Sequence, residues 1–281
     1  MSRMHLAFPI RGDKLAMSVR VERHVAHFES PFQTIDLYDT AALGRILTLD
    51  GHIQLASLDE KAYHEALVQV PLLNVPNARS ALVVGGGDGG VLREICRQPS
   101  IERVDIVEID QAVIEICREH LPELSSGAFD DPRVNLHVGD AFAFLADAQI
   151  EYDLIVVDCT DVYEEEDGGI SAMLFTDAFY RDCLRCLSPG GFVVTQADNL
   201  LFCPYSLEAI LNAFGRVFPA TGSYWAMVPS FGGYSGYAWA SRGTRPAPQW
   251  KDFPNTSVPL DYLRESTYDL GMGPMPILGL P

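Results

Sequence analysis

The sequence predicts an α/β protein: a doubly wound, mostly parallel sheet preceded by a small N-terminal β-hairpin domain. Two patterns carry this. From residue 81 onward, short apolar segments without a polar face alternate with stretches of helical period, as strands covered on both sides require. Before residue 76 there is strand-like alternation around Asp50-Gly51, a pair that tolerates positive φ and marks a tight hairpin. The division is set at 1–76, a β-strand and hairpin domain with a linking helix, and 77–281, the larger α/β domain with a C-terminal tail.

Taken in order, residues 34–38 and 45–55 read as strands, and 59–73 as a helix with Ala62, Ala66, Leu67 and Val70 on one side. Residues 81–85 form a strand, and 86–97 a glycine turn running into a helix. Residues 103–108 are a strand ending in acid, and 111–120 a helix closed by Pro122. Strand 134–138 leads to Asp140, which caps a short helix, and strand 152–158 again ends in acid. A helix at 176–187 is stopped by Ser188-Pro189-Gly190-Gly191. Strand 192–196, helix 206–217 and strands 223–228 and 237–241 follow, the last two as an antiparallel hairpin at one edge. The tail, 242–281, is rich in Pro and Gly and holds one short helix at 260–266. This layout resembles the seven-stranded, Rossmann-like sheet of the methyltransferase-like fold.

Composition narrows the partners. The chain has 281 residues, 48% hydrophobic and 21% charged, which suits a folded globule and excludes disorder as the main state. A net charge of −18 repels nucleic acid and anionic membrane and attracts small cations. No apolar run approaches the roughly 20 residues that span a bilayer, and the first residues lack an apolar signal core, so the expected location is cytoplasmic. The six cysteines are scattered through apolar stretches, as reduced core thiols would be. Cys183-x-x-Cys186 falls on an amphipathic helix with no second ligand pair nearby and reads as packing rather than a zinc site.

The chemistry-bearing residues sit where strands end. The loop Gly85-Gly86-Gly87-Asp88-Gly89-Gly90 lies between a strand and a helix, and Gly85 and Gly87 let the backbone approach a ligand closely. It satisfies the dinucleotide fingerprint, but Asp88 would repel a pyrophosphate and welcome an ammonium group; it could also cap the next helix. Glu108, followed by Ile109, ends the second strand, where an acid takes the two hydroxyls of a ribose. Asp140 and Ala141 follow the third strand, placed to meet an adenine. Together these imply a nucleoside without a phosphate chain. Asp158 and Asp161 follow the fourth strand and should meet Asp88 in the crevice at the carboxyl ends of the strands. Carboxylates converging there need a cation, and spacing alone leaves a metal and a polyamine both open.

These residues resemble the polyamine aminopropyltransferases, the spermidine and spermine synthase family. The resemblance runs from about Gln33 to Ser241. It rests on Leu49-Asp50-Gly51-His52-Ile53-Gln54, on Asp59-Glu60-Lys61-Ala62-Tyr63-His64-Glu65, on the glycine loop, on Val107-Glu108-Ile109-Asp110 and on Asp158-Cys159-Thr160-Asp161. It implies decarboxylated S-adenosylmethionine as co-substrate, methylthioadenosine as product, and no permanently bound cofactor or metal. Glu108 would hold the ribose, Asp140 and Ala141 the adenine, and Gln33 and Gln54 the nucleoside end or its linker. Asp88 would hold the ammonium of the aminopropyl arm. Asp158 would act as base or positioner for the attacking amine, with Asp161, His64 and Tyr63 lining the acceptor channel and Gln196 facing the same cleft. The resemblance also implies a homodimer or homotetramer joined through the N-terminal hairpins.

The sequence departs from the family on the acceptor side. The family's prolines after the aspartate pair are missing, and an acidic, glycine-rich loop spans 162–170. Where the family carries a Thr-Tyr-Pro segment this chain has Pro229-Ser230-Phe231, leaving Tyr234 as the candidate substitute. Two competing readings are a methyltransferase using intact S-adenosylmethionine, against which Asp88 argues, and a non-catalytic polyamine- or nucleoside-binding protein, against which the aspartate pair argues.

Overall fold

The structure is a computed structural model that describes residues 4–159, 176–252 and 259–274. Its centre is a seven-stranded sheet, formed by β6 (Ser80–Gly85), β7 (Arg103–Glu108), β8 (Val134–Val138), β9 (Tyr152–Asp158), β10 (Leu187–Asn199), β11 (Ala220–Val228) and β12 (Gly233–Ser241). The order is β11-β12-β10-β9-β6-β7-β8. The pairs from β10 through β8 are parallel, and β12 runs antiparallel to both neighbours. The expected edge hairpin is therefore present.

Helices cover both faces, because the central strands are apolar on both. On one side lie α1 (Glu60–Asn74) and α2 (Gly90–Cys96), packed with Val83, Ile106 and Val156 in one core. On the other lie α5 (Ala141–Asp147), α6 (Asp177–Arg185) and α7 (Pro204–Val217), which enclose Leu82, Ile155 and Val193. Each such side chain, removed wholly from water, contributes about 1.5–3 kcal/mol. Cys183 and Cys186 are buried in this second core, as the packing reading expected. Helix α1, assigned from sequence to the N-terminal part, packs against α2 and β11 in the larger sheet's own core.

The N-terminal part is larger than a hairpin. It is a five-stranded antiparallel meander of β1 (Met4–Arg11), β2 (Leu15–Glu29), β3 (Thr34–Thr40), β4 (Gly44–Leu49) and β5 (His52–Ala56). Asp50-Gly51 makes the β4–β5 turn as expected, but β1 and β2 did not stand out in the sequence. The pairing of β2 with β3 slips twice, between Val21 and Arg23 and between His24 and Ala26, so the period of two that marks a strand breaks inside it. One face of this sheet packs Ile35, Leu37, Leu47 and Leu55 against α3 (Gln111–His120) and α4 (Pro122–Ser125). Helix α3 ends at His120, ahead of Pro122 as expected, and Pro122 also opens α4, where its missing N–H costs nothing.

The tail helix also moves. It was expected at 260–266 and is found as α8 (Glu265–Met272). The backbone N–H groups of Asp261, Tyr262 and Leu263 donate to the buried carboxylate of Glu65, which ties the stretch before α8 to α1. Among the described residues no helix is long and apolar enough to cross a membrane.

Candidate active site

The strand order reverses between β6 and β9, and loops diverge there to leave a crevice. Gly85 and Asp158 are register partners at this point, and the Gly86 N–H donates to the Asp158 carbonyl at 2.9 Å. Gly85 has φ +80°, and a Cβ there would lie 2.1 Å from that carbonyl oxygen, so only glycine fits. The crevice opens into a cavity of about 490 Å³ between the two sheets. Gln33, Leu49, Gln54 and Tyr63 line it from the N-terminal side, and residues 85–88, Glu108, Ile109, Asp140, Ala141, Asp158, Cys159 and Gln196 from the large sheet.

At one end sits Glu108, buried at the tip of β7. Gly87 N–H donates to its Oε2 at 3.1 Å and Asp110 N–H to its Oε1 at 2.9 Å. Burial nonetheless pushes its carboxyl up to about 7. Asp110 caps α3 and also receives Gln33 Nε2 at 3.0 Å and Ser30 Oγ at 2.6 Å, which fixes the glutamine at the cavity edge. Asp140 caps α5 through the Phe142 N–H at 2.8 Å.

At the other end Asp88 and Asp158 face each other. Tyr63, on α1, donates to Asp158 Oδ1 at 2.5 Å. Burial, and then the charge of Asp88, push the Asp158 carboxyl up to about 6. Asp88 accepts the Gly90 N–H at 2.7 Å and has His64 Nε2 at 3.4 Å. Burial opposes the Asp88 charge, yet His64 holds its carboxyl below the ordinary value. Asp88 thus holds the first N–H of α2 from one residue before the cap, which is Gly89, and lines the cavity as well.

His64 is not in the cavity wall, contrary to expectation. It is 1% exposed and lies behind Asp88. Its Nδ1 meets Glu60 Oε2 at 2.8 Å, and its ring occupies the space that a Cβ at Gly90 would need. Burial opposes its charge, but Asp88 and Glu60 raise it to about 10. Burial likewise opposes the Glu60 charge, while His64 and Arg93 hold that carboxyl down to about 2. The result is a buried row, Arg93–Glu60–His64–Asp88, that ends in a carboxylate aimed at the cavity. Glu60 escaped the sequence reading, although its i, i+4 spacing to His64 on an expected helix was a usable signal.

Tyr234 is also misplaced by the sequence reading. Its ring packs edge-on against Trp225 at 5.1 Å, away from the cavity. Alternation along β12 gives the lining to Ser235 instead, with Gly236 beside it. Phe231 does reach the cavity and stands 5.4 Å from the Tyr63 ring, perpendicular to it. Gln196 lines the cavity but is engaged by the Cys159 carbonyl at 3.0 Å and the Asp198 N–H at 2.9 Å. Asp198, not singled out beforehand, lines the cavity too and adopts φ +60°, uncommon outside glycine. Asp161 and the acidic loop at 162–170 lie outside the described residues.

The cavity is therefore acidic, with Asp88, Glu108, Asp140, Asp158 and Asp198 among its lining residues. His64, Asp88 and Asp158 place polar atoms all within 4.8 Å of one another, a spacing that suits a single cation. Residues 60–247 match the family model of the spermine/spermidine synthase domain. The chain belongs to the spermine/spermidine synthase family. Residues 8–57 match that family's spermidine synthase tetramerisation domain, which accounts for the five-stranded sheet. Among relatives in this synthase family, the polyamine aminopropyltransferase of Pectobacterium carotovorum is 39% identical over 79% of this chain and 76% of its own length. Spermidine synthase 1 of Hyoscyamus niger is 39% identical over 77% of this chain and 67% of its own. The crystal structure of spermidine synthase from Thermotoga maritima superposes with a TM-score of 0.86 and 27% identity, covering 97% of this chain and 92% of that one. A spermidine synthase in complex with the transition-state analogue AdoDATO matches with the same values. This synthase-family chain is thus an aminopropyltransferase by descent and by fold.

Proposed function

We propose that the chain transfers the aminopropyl group of decarboxylated S-adenosylmethionine to a di- or polyamine, making spermidine from putrescine or a longer homologue. The observation that carries this reading is the pair Asp88 and Asp158 at the far end of a cavity whose near end holds Glu108. Glu108 would accept the ribose hydroxyls, while Asp140 and Ala141 meet the adenine and Gln33 and Gln54 flank the nucleoside. Asp88, its charge fixed by His64, would hold the donor's ammonium and repel the carboxylate of intact S-adenosylmethionine.

The sulfonium makes the adjacent CH₂ electrophilic. The amine nitrogen donates its lone pair to that carbon, the C–S pair leaves with sulfur, and methylthioadenosine departs. An ammonium has no lone pair, so a proton must go first. With Asp158 at about 6 and a free amine near 10.4, moving the proton to Asp158 is uphill by about 6 kcal/mol. In unperturbed water the gap would be about 9 kcal/mol. Burial beside the sulfonium lowers the amine further, and Tyr63 keeps Asp158 oriented to receive the proton. Asp161 would join the acceptor side. The N-terminal sheet would assemble the chain into a tetramer.

The test is mass spectrometry of a reaction with decarboxylated S-adenosylmethionine and a panel of amines. Methylthioadenosine and an acceptor heavier by one aminopropyl unit, both lost in Asp158→Asn, support the reading. Donor binding without transfer to any amine would refute it.

A further inference from the structure

A second cluster of metal-ligating side chains lies on the N-terminal sheet, outside the cavity. His24 Nε2 is 2.7 Å and His27 Nδ1 2.9 Å from the same oxygen of Asp36, Oδ1. The ligand-type atoms of all three lie within 4.8 Å of one another. Residues three apart on a regular strand point to opposite faces. They converge here because the pairing of β2 with β3 slips between His24 and Ala26, so that His24 faces Tyr38 and His27 faces Asp36. Bulges of this kind re-aim side chains at sites. The two imidazoles are nearly perpendicular, with centroids 6.1 Å apart, and His24 stacks on Tyr38 at 4.5 Å. Asp36 is 9% exposed, and among the described residues its ion-pair partners are these two histidines. The nearby arginines, Arg23 and Arg45, are engaged by Asp39.

We propose that His24, His27 and Asp36 form a binding site for a divalent transition-metal ion of the zinc type. Two imidazoles and one carboxylate are a borderline-soft donor set, and the exposed side leaves a position for water. Metal–ligand bonds of about 2.0–2.2 Å at tetrahedral angles separate the ligand atoms by about 3.3 Å. The two imidazole-to-carboxylate distances thus need to open by only about 0.5 Å, with the imidazole protons moved to His24 Nδ1 and His27 Nε2. The ion would staple β2 to β3 in the sheet that matches the tetramerisation domain.

The experiment is calorimetric titration of tag-free, metal-stripped protein with Zn²⁺, repeated with Co²⁺ and read by visible absorption. The expected result is one ion per chain, with binding weakened at least about tenfold in His24→Gln and in His27→Gln and retained in Asp158→Asn. Thermal unfolding should shift upward with Zn²⁺ in the wild type and stay unmoved in the double histidine variant. Both histidines are largely exposed, so these variants should keep the fold, checked by circular dichroism. Absence of saturable binding would overturn the proposal. So would binding that survives the double variant or disappears in Asp158→Asn, which would place the ion in the cavity.

Discussion

Replacing Tyr63 by Phe removes one hydroxyl and little else. The ring keeps its packing against Phe231 and Tyr237, while the 2.5 Å bond to Asp158 Oδ1 is lost. That bond favours the ionised carboxylate, so the Asp158 carboxyl should rise further from about 6. A hydrogen bond to a charged group contributes about 1.5–3 kcal/mol. Asp158 faces the cavity, where water replaces part of that, so we take the lower end, about 1 pH unit at 1.36 kcal/mol per unit. The acid limb of kcat/KM for the acceptor, with the donor saturating, should therefore move from about pH 6 to about pH 7. Activity should fall about eightfold at pH 5.5 and about threefold at pH 6.5, and change little at pH 8.5. Methylthioadenosine release across the pH range reads this directly. A uniform fall with an unmoved acid limb would refute the reasoning, since the hydroxyl would then act on geometry and not on the Asp158 charge.

Other outcomes follow from the same structure. Ribose hydroxyls donating to Glu108 favour its ionised form, so donor affinity should weaken as pH falls below about 7, measurable by calorimetry. Glu108→Gln should raise the donor KM about 10–100-fold and flatten that pH dependence, leaving the acceptor KM nearly unchanged. Gly85→Ala drives a methyl into the Asp158 carbonyl and should destabilise by more than about 2 kcal/mol in thermal unfolding. Glu65→Gln leaves one oxygen where a carboxylate met three N–H groups and should cost about 1–3 kcal/mol, exposing the tail near Asp261 to limited proteolysis.

What the sequence disclosed and what it hid divide along physical lines. Strands buried on both faces, such as Arg103–Glu108 and Tyr152–Asp158, are local signals, and their boundaries were legible to the residue. So were the acids at their ends, because a strand's carboxyl terminus fixes where the next residue points. The long β2 was hidden because its bulges break the alternation on which recognition rests. The tail helix was displaced to 265–272, and the stretch before it is held by Glu65, almost 200 residues earlier, a contact that local sequence cannot show. Within the site, residue identity did not tell which side chain touches the cavity. Only packing reveals that His64 lies behind Asp88 and that Tyr234 turns to Trp225. Local pattern specifies elements, whereas long-range hydrogen bonds decide these last choices.

The acid pair in the cavity would select a donor lacking a carboxylate and direct transfer of its aminopropyl arm. One reaction tests it: the protein with equal amounts of decarboxylated and intact S-adenosylmethionine and a diamine, analysed by mass spectrometry. Methylthioadenosine and aminopropylated amine alone are the expected products. Formation of S-adenosylhomocysteine and a methylated product would contradict it, placing the chemistry at the methyl group and leaving Asp88 without the role assigned to it.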